Sequence, residues 1–401
     1  MDRLERSVGG EHWGLDPKVT FLNHGSFGAC PKPILEHQSR LRAEIEAQPV
    51  RFFQRFGEEM MDETRHMIGA LVGAPEADIA CVSSASAAVS TVLRSLSFSG
   101  SDEILVSDHE YGATRNAVDF AADRAGASVK VVHLPFPLKS ADEITEAVLG
   151  AITQRTRLVV LDHITSMTGL ILPIQAILDE LNRRGIDSLI DGAHAPGMIP
   201  LDVEGLNPTY YAGNFHKWLC APKGSAFLYV RLDAQAQVRP LVISHGASSI
   251  RKDRSKFRLE ADWIGTLDPT PWLCVPKCIE FLSTILPGGF RGLQRRNHRL
   301  TLVARDLLCE SLEIDAPCPD SMLGTLASVP LPDAVTLPSA PLFFDSWQDR
   351  LFHDHQIEVP ILSWPQPPSR LLRISAQAYN RRPQYVKLSK ALGELLRESE
   401  S

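Results

Sequence analysis

The sequence is short of positive charge: 41 Lys and Arg stand against 48 Asp and Glu, a formal net charge of −7 over 401 residues. Phosphate backbones are bound by extended basic faces, so a nucleic-acid partner is excluded and a small-molecule substrate is expected. No window nears the run of roughly 18 apolar residues that a membrane helix needs, and no membrane association is expected. Nor does an apolar stretch follow Met1-Asp2-Arg3-Leu4-Glu5-Arg6; with no export signal there, a cytoplasmic chain is the expectation. The cysteines contain no C-x-x-C pair. Cys30, Cys81, Cys220, Cys274, Cys278, Cys309 and Cys318 are odd in number and scattered, as reduced thiols are. H-E-x-x-H is absent too, and His24-Gly25-Ser26-Phe27-Gly28 misses the first glycine of G-x-S-x-G. A metal or serine hydrolase built from Asp162, His163, Asp191, His194 and His216 is therefore only a remote alternative. No metal site is expected, because His353-Asp354-His355 lies in a charged, helix-like run and reads as a solvated face.

What is there is globular: 44% hydrophobic and 22% charged residues. From residue 79 onward short β-rich runs alternate with amphipathic stretches, the pattern of βαβ units. Strands are expected at 79–82, 103–107, 129–134, 158–163, 188–191, 210–213 and 226–230, with helices near 86–97, 113–125, 141–153 and 174–184. The fold class is α/β, with a mainly parallel seven-stranded sheet. After Gly265 the pattern changes to helices (270–286 and 292–311), Pro-rich turns and isolated strands. The expected organisation is an N-terminal segment (1–30), a large domain (31–287) and a smaller α+β domain (288–401). Pro360, Pro365, Pro367 and Pro368 exclude a helix or central strand between them.

In such sheets ligands sit beyond the carboxyl ends of the strands. Lys217 falls there, ahead of the apolar Trp218-Leu219-Cys220-Ala221-Pro222. Desolvation lowers a lysine's pKa and makes it nucleophilic; a surface lysine with its stem on apolar neighbours is the other reading, and Lys223 is its rival. Asp191 ends an apolar strand, where a carboxylate needs a cationic or multiply hydrogen-bonded partner, unless it caps the next turn. Ser83-Ser84-Ala85-Ser86-Ala87-Ala88 joins a strand to a helix, which suits an anion cradle and equally an ordinary serine cap. His109 either stacks on a flat ring or bonds within its turn. Arg373, in Leu371-Leu372-Arg373-Ile374-Ser375, either grips a carboxylate or pairs at the surface of an edge strand.

The order of these pieces resembles class V aminotransferases, and most closely their isopenicillin N epimerase branch. The likeness runs from Leu22-Asn23-His24-Gly25-Ser26-Phe27-Gly28 to Leu372-Arg373-Ile374-Ser375-Ala376, with Asp191-Gly192-Ala193-His194-Ala195-Pro196-Gly197 and His216-Lys217-Trp218-Leu219 as its most specific parts. The resemblance implies fold type I and pyridoxal 5'-phosphate, carried by Lys217 as a Schiff base. It implies Asp191 at the pyridine nitrogen, His109 stacked on the ring, and His194 and Ser166 near the phenolic oxygen. It further implies phosphate contacts from Ala85, Ser86, Asn214, His216 and Thr266 of a neighbouring subunit, hence a homodimer with shared active sites. Arg373 would hold the α-carboxylate of an amino-acid substrate, with Asn23 and Tyr111 beside it. Two positions depart from the family pattern. Ser84-Ala85-Ser86 replaces an Asn-x-Thr type cradle, and Phe215 replaces a small residue and is expected to reshape the pocket.

The implied chemistry is abstraction of the α-proton by Lys217, giving a carbanion. Reprotonation on the opposite face, with His109 or Tyr111 as donor, makes an epimerase; expulsion of a leaving group makes a C–S or β-lyase; protonation on the cofactor makes an aminotransferase. A desulfurase needs a mobile nucleophilic cysteine, for which Cys318 is the loop candidate.

Overall fold

Aliphatic and β-branched runs too apolar for one-sided exposure pair into a sheet covered on both faces. In the computed structural model, which describes residues 4–335 and 345–399, these are β1 (Ile79–Val82), β2 (Glu103–Ser107), β3 (Ser128–Val132), β4 (Thr156–Asp162), β5 (Asp187–Asp191), β6 (Tyr210–Asn214) and β7 (Ala226–Val230). Their spatial order is β1-β7-β6-β5-β4-β2-β3, and only β7 runs antiparallel to its neighbours. Val159, Val160, Leu161, Leu189 and Ile190 are fully buried between the helical layers. Because β6 and β7 are adjacent and antiparallel, residues 215–225 need only turn back on themselves, and Lys217 sits in that turn at the carboxyl edge of the sheet.

The C-terminal part is a separate antiparallel sheet of β8 (Leu326–Leu331), β9 (Ile361–Ser363) and β10 (Arg370–Ser375), with β10 in the middle. The helices Gly289–Leu312 and Arg382–Ser399 pack against each other over it. Short β9, flanked by prolines, takes an edge. The N-terminal stretch ties the two parts together: Thr20–Phe21 pairs with Ile357–Glu358, while the turn at Gly28 presses on the Lys217 loop.

Two elements differ from expectation for local reasons. β3 stops at Val132 because Asp108 takes over, accepting from the Leu134 amide at 2.9 Å and meeting His133 Nδ1 at 2.5 Å. The helix expected over 270–286 breaks into Thr270–Leu273 and Val275–Thr284, since Pro276 has no N–H for the carbonyl of Trp272.

Candidate active site

The carboxyl ends of β2, β4, β5 and β6, met from the other side by β10, enclose the polar residues singled out above. Lys217 Nζ lies 2.9 Å from His194 Nε2, and Trp218 Nε1 donates to His194 Nδ1 at 3.2 Å. Burial lowers the lysine pKa to about 8, aided by Arg373 and partly opposed by Asp191 and Asp162. His194 is held far below its ordinary range, by burial first and then by Lys217 and Arg373, so its ring is neutral. Lys223, the rival lysine, is exposed and donates to the Gly28 carbonyl at 2.9 Å. The backbone of Lys217 is fixed from behind, with its carbonyl 2.9 Å from His24 Nε2 and His24 Nδ1 2.8 Å from the Tyr379 hydroxyl. Gly28 and Gly197 allow that packing. A Cβ on Gly28 would meet the His216 carbonyl oxygen at 2.0 Å, and one on Gly197 would meet the Leu219 amide at 2.5 Å.

Asp191 is buried and accepts from Thr114 Oγ1 at 2.8 Å and from the Ala193 amide at 3.0 Å. Two further carboxyls, Glu110 and Asp162, share its enclosure, with one ligand atom of each within 4.8 Å of the others. Both oxygens of Glu110, and Oδ2 of Asp162, have no partner. Burial, then their neighbours' charge, pushes both pKa values well up and favours the protonated acids. Sequence reasoning gave neither a cofactor role. The signal was available for Asp162, which closes an apolar strand as Asp191 does; nothing local marks Glu110.

The Ala85–Ser95 helix points its N-terminus at the same edge. Its free amides are partly used: Ala85 N donates to Asn214 Oδ1 at 2.8 Å and Ala87 N to Ser84 Oγ at 3.1 Å, while the Ser86 amide has no protein acceptor. His216, with Nδ1 3.4 Å from the Ser225 carbonyl, is lowered to about 4 by burial and Lys217. The cradle thus keeps unused donors at the positive end of a helix, as an anion requires.

Arg373 is buried in the middle strand, which removes the reading of an arginine paired at a sheet edge. Nη1 donates to the Ser166 carbonyl at 2.5 Å and to Ser166 Oγ at 3.2 Å, Nη2 donates to Ser26 Oγ at 2.8 Å, and Nε has no partner. Ser26 Oγ donates onward to Asn23 Oδ1 at 2.6 Å, and Asn23 Nδ2 to Glu358 Oε1 at 3.1 Å. Asn23 therefore stands behind Arg373, orienting it through Ser26. Among the described residues no carboxylate pairs with this guanidinium, whose pKa burial lowers to about 10.

Three expected placements change. His109 has no open face for stacking: it is wholly enclosed, with Nδ1 2.9 Å from Thr168 Oγ1, Nε2 3.2 Å from the Leu134 carbonyl and its ring edge-on to Trp364 at 4.7 Å. The helix starting at Gly112 brings Tyr111, not His109, to the end of the loop, 40% exposed and close enough to Arg373 to influence it electrostatically. Phe215 turns into the core and stacks on Phe227 at 5.4 Å, away from the pocket. Thr266 is exposed beside Gly265, on the rim of a separate cavity of about 270 Å³ lined by Phe52, Phe53, Trp263 and Trp272. Hydrolase chemistry finds no support in Ser26, which bonds Asn23 and Arg373, or in His163, which faces the Tyr211 hydroxyl at 2.7 Å. The thiol of Cys318 is buried and pushed up to about 12 by that burial, the opposite of a mobile nucleophile.

A lysine amine, a buried carboxylate and an anion cradle at the edge of this sheet, faced by a carboxylate-free arginine from β10, fit a fold type I pyridoxal-phosphate enzyme. The sequence profile of Aminotransferase class-V matches residues 26–332. Isopenicillin N epimerase of Amycolatopsis lactamdurans is 34% identical over 96% of this chain and 97% of its own. A probable chloroplastic L-cysteine desulfhydrase of Arabidopsis thaliana is 30% identical over 96% of this chain and 84% of its own. In structure, a cystine C–S lyase bound to its product cysteine persulfide superposes with a TM-score of 0.75 at 19% identity, over 94% of this chain and 98% of that one. The chain belongs to the class V aminotransferase family, and its cofactor is pyridoxal 5'-phosphate.

Proposed function

We propose that the protein acts at the α-carbon of an amino acid, in the manner of isopenicillin N epimerase, with Lys217 as cofactor lysine and proton carrier. The carrying observation is Arg373: a buried guanidinium with a free Nε and no carboxylate partner, on the site that holds Lys217. A buried charge without a counter-ion is costly, and a substrate α-carboxylate supplies the missing anion. When bound, pyridoxal 5'-phosphate supplies an electron sink that stabilises negative charge at the carbon bearing the amino group. Asp191 would hold the ring nitrogen protonated, His194 and Ser166 would face the ring oxygen, and Ser86, Ala85, Asn214 and His216 would hold the phosphate. Tyr111 is the aromatic residue available to cover the ring. Lys217 Nζ takes the α-proton, and epimerisation needs a second acid on the other face, a role that the exposed phenol of Tyr111 can fill and the enclosed His109 cannot.

A second reading, a C–S or β-lyase, rests on the desulfhydrase relatives, and needs no second acid. We also propose a homodimer in which Thr266 completes the partner's cradle; the exposed Val50, Leu241, Val242, Ile243 and Ile250 around that region are the support. Purified protein should be yellow and Lys217→Ala colourless; a native protein that cofactor cannot turn yellow would sink the reading. Incubating amino acids in D₂O then separates the outcomes: α-deuterium with inverted configuration for an epimerase, released keto acid and thiol for a lyase.

A further inference from the structure

We propose that Trp218 is a positioning residue that fixes the tautomer of His194, so that His194 Nε2–H donates to Lys217 Nζ and holds Lys217 as the neutral amine. Indole nitrogen only donates, so the Trp218 Nε1 contact at 3.2 Å makes His194 Nδ1 an acceptor. A neutral imidazole has one N–H, which must then be on Nε2. Nε2 lies 2.9 Å from Lys217 Nζ, and two donors cannot face each other at that distance. Lys217 must therefore accept, which an ammonium cannot do. The ring geometry is held from both ends: the Trp218 carbonyl meets Gln377 Nε2 at 3.5 Å, and Gly197 lets the two loops touch.

The charges around the pair oppose one another. Arg373 on β10 disfavours positive charge on Lys217, whereas Asp191 and Asp162 favour it; burial, the largest influence, brings the amine down to about 8 and holds the imidazole well below its ordinary range, so the Nε2–H contact has only a small further shift to supply. The functional consequence rests on the reading of Lys217 as the cofactor lysine: the amine is ready for the aldehyde, and the same N–H can meet the ring oxygen afterwards.

The test is direct observation of the tautomer. In the full chain with ¹⁵N-histidine, His194, assigned by its loss in His194→Gln, should show an unprotonated Nδ1 and a protonated Nε2, with and without cofactor. Nδ1 protonation in the wild type would overturn the proposal whatever any variant does. Trp218→Phe keeps the ring and removes the donor, which frees His194 to take its other tautomer and accept from an ammonium. The pH midpoint for pyridoxal-phosphate capture by the cofactor-free chain should then rise by about one unit, the size of one net hydrogen bond. In a His194→Ala background Trp218→Phe should shift nothing. An unchanged midpoint in a folded Trp218→Phe protein, or an equal shift in both backgrounds, refutes the lock while leaving the yellow-to-colourless test of Lys217 untouched.

Discussion

At the scale of single residues, the site is governed by which buried charges have partners. Arg373 has hydrogen bonds to Ser166 and Ser26 but no anion, and removing it should cost substrate recognition more than folding. Arg373→Ala is expected to lower kcat/KM by about 100-fold, from roughly 2–3 kcal/mol for a lost charge-assisted contact. The yellow colour should survive. A KM and kcat left intact would exclude the carboxylate role. Glu110 makes the opposite case, an acid kept neutral by burial and by Asp191. A carboxyl whose pKa rises on folding stabilises the fold below its ordinary value, here 4.5, and that contribution is lost as pH climbs through the raised value. Glu110→Gln should therefore raise Tm at pH 8 relative to wild type, with the gain shrinking toward pH 4. An equal gain at both pH values would show that Glu110 is not held protonated.

At the scale of elements, the site is assembled by loops that glycine lets touch. Gly28 has φ +70° and no room for a Cβ beside the His216 carbonyl. Gly28→Ala must either strain its own backbone or displace the Lys217 turn, each costing on the order of 1–3 kcal/mol. Lower thermal stability and weaker cofactor retention are expected together; a variant with wild-type Tm and full cofactor content would show that the close approach is dispensable. The elements themselves were largely legible, because β4 and β5 are buried on both faces and their apolar runs announce it. Their ends were less so. β3 stops where the Asp108 side chain captures the Leu134 amide, and the Thr270–Leu273 helix stops where Pro276 withholds an amide.

For the whole molecule, the apolar residues near 241–250 are exposed, and the proposed dimer would cover them. Ile250 is 93% exposed. Ile250→Asp should shift sedimentation from dimer toward monomer; a wild-type chain that sediments as a monomer at micromolar concentration ends the dimer proposal and the role given to Thr266. Among the described residues no single helix is long and apolar enough to cross a membrane. By itself the sequence determined the α/β class, the seven strands and the family, because burial periodicity and the Asp191, His194, His216 and Lys217 spacings are local records. It also picked out Arg373, which it left between a ligand and a surface pair. Only the tertiary structure removed the surface pair, because burial without a counter-charge is a property of surroundings drawn from Ser26, Ser166 and β10 at once. It also moved the open aromatic face from His109 to Tyr111, and brought Glu110 and Asp162 to Asp191. Side chains as far apart in the chain as Glu110 and Asp191 share an enclosure only once the strands are laid side by side, and the charge each one carries follows from that enclosure.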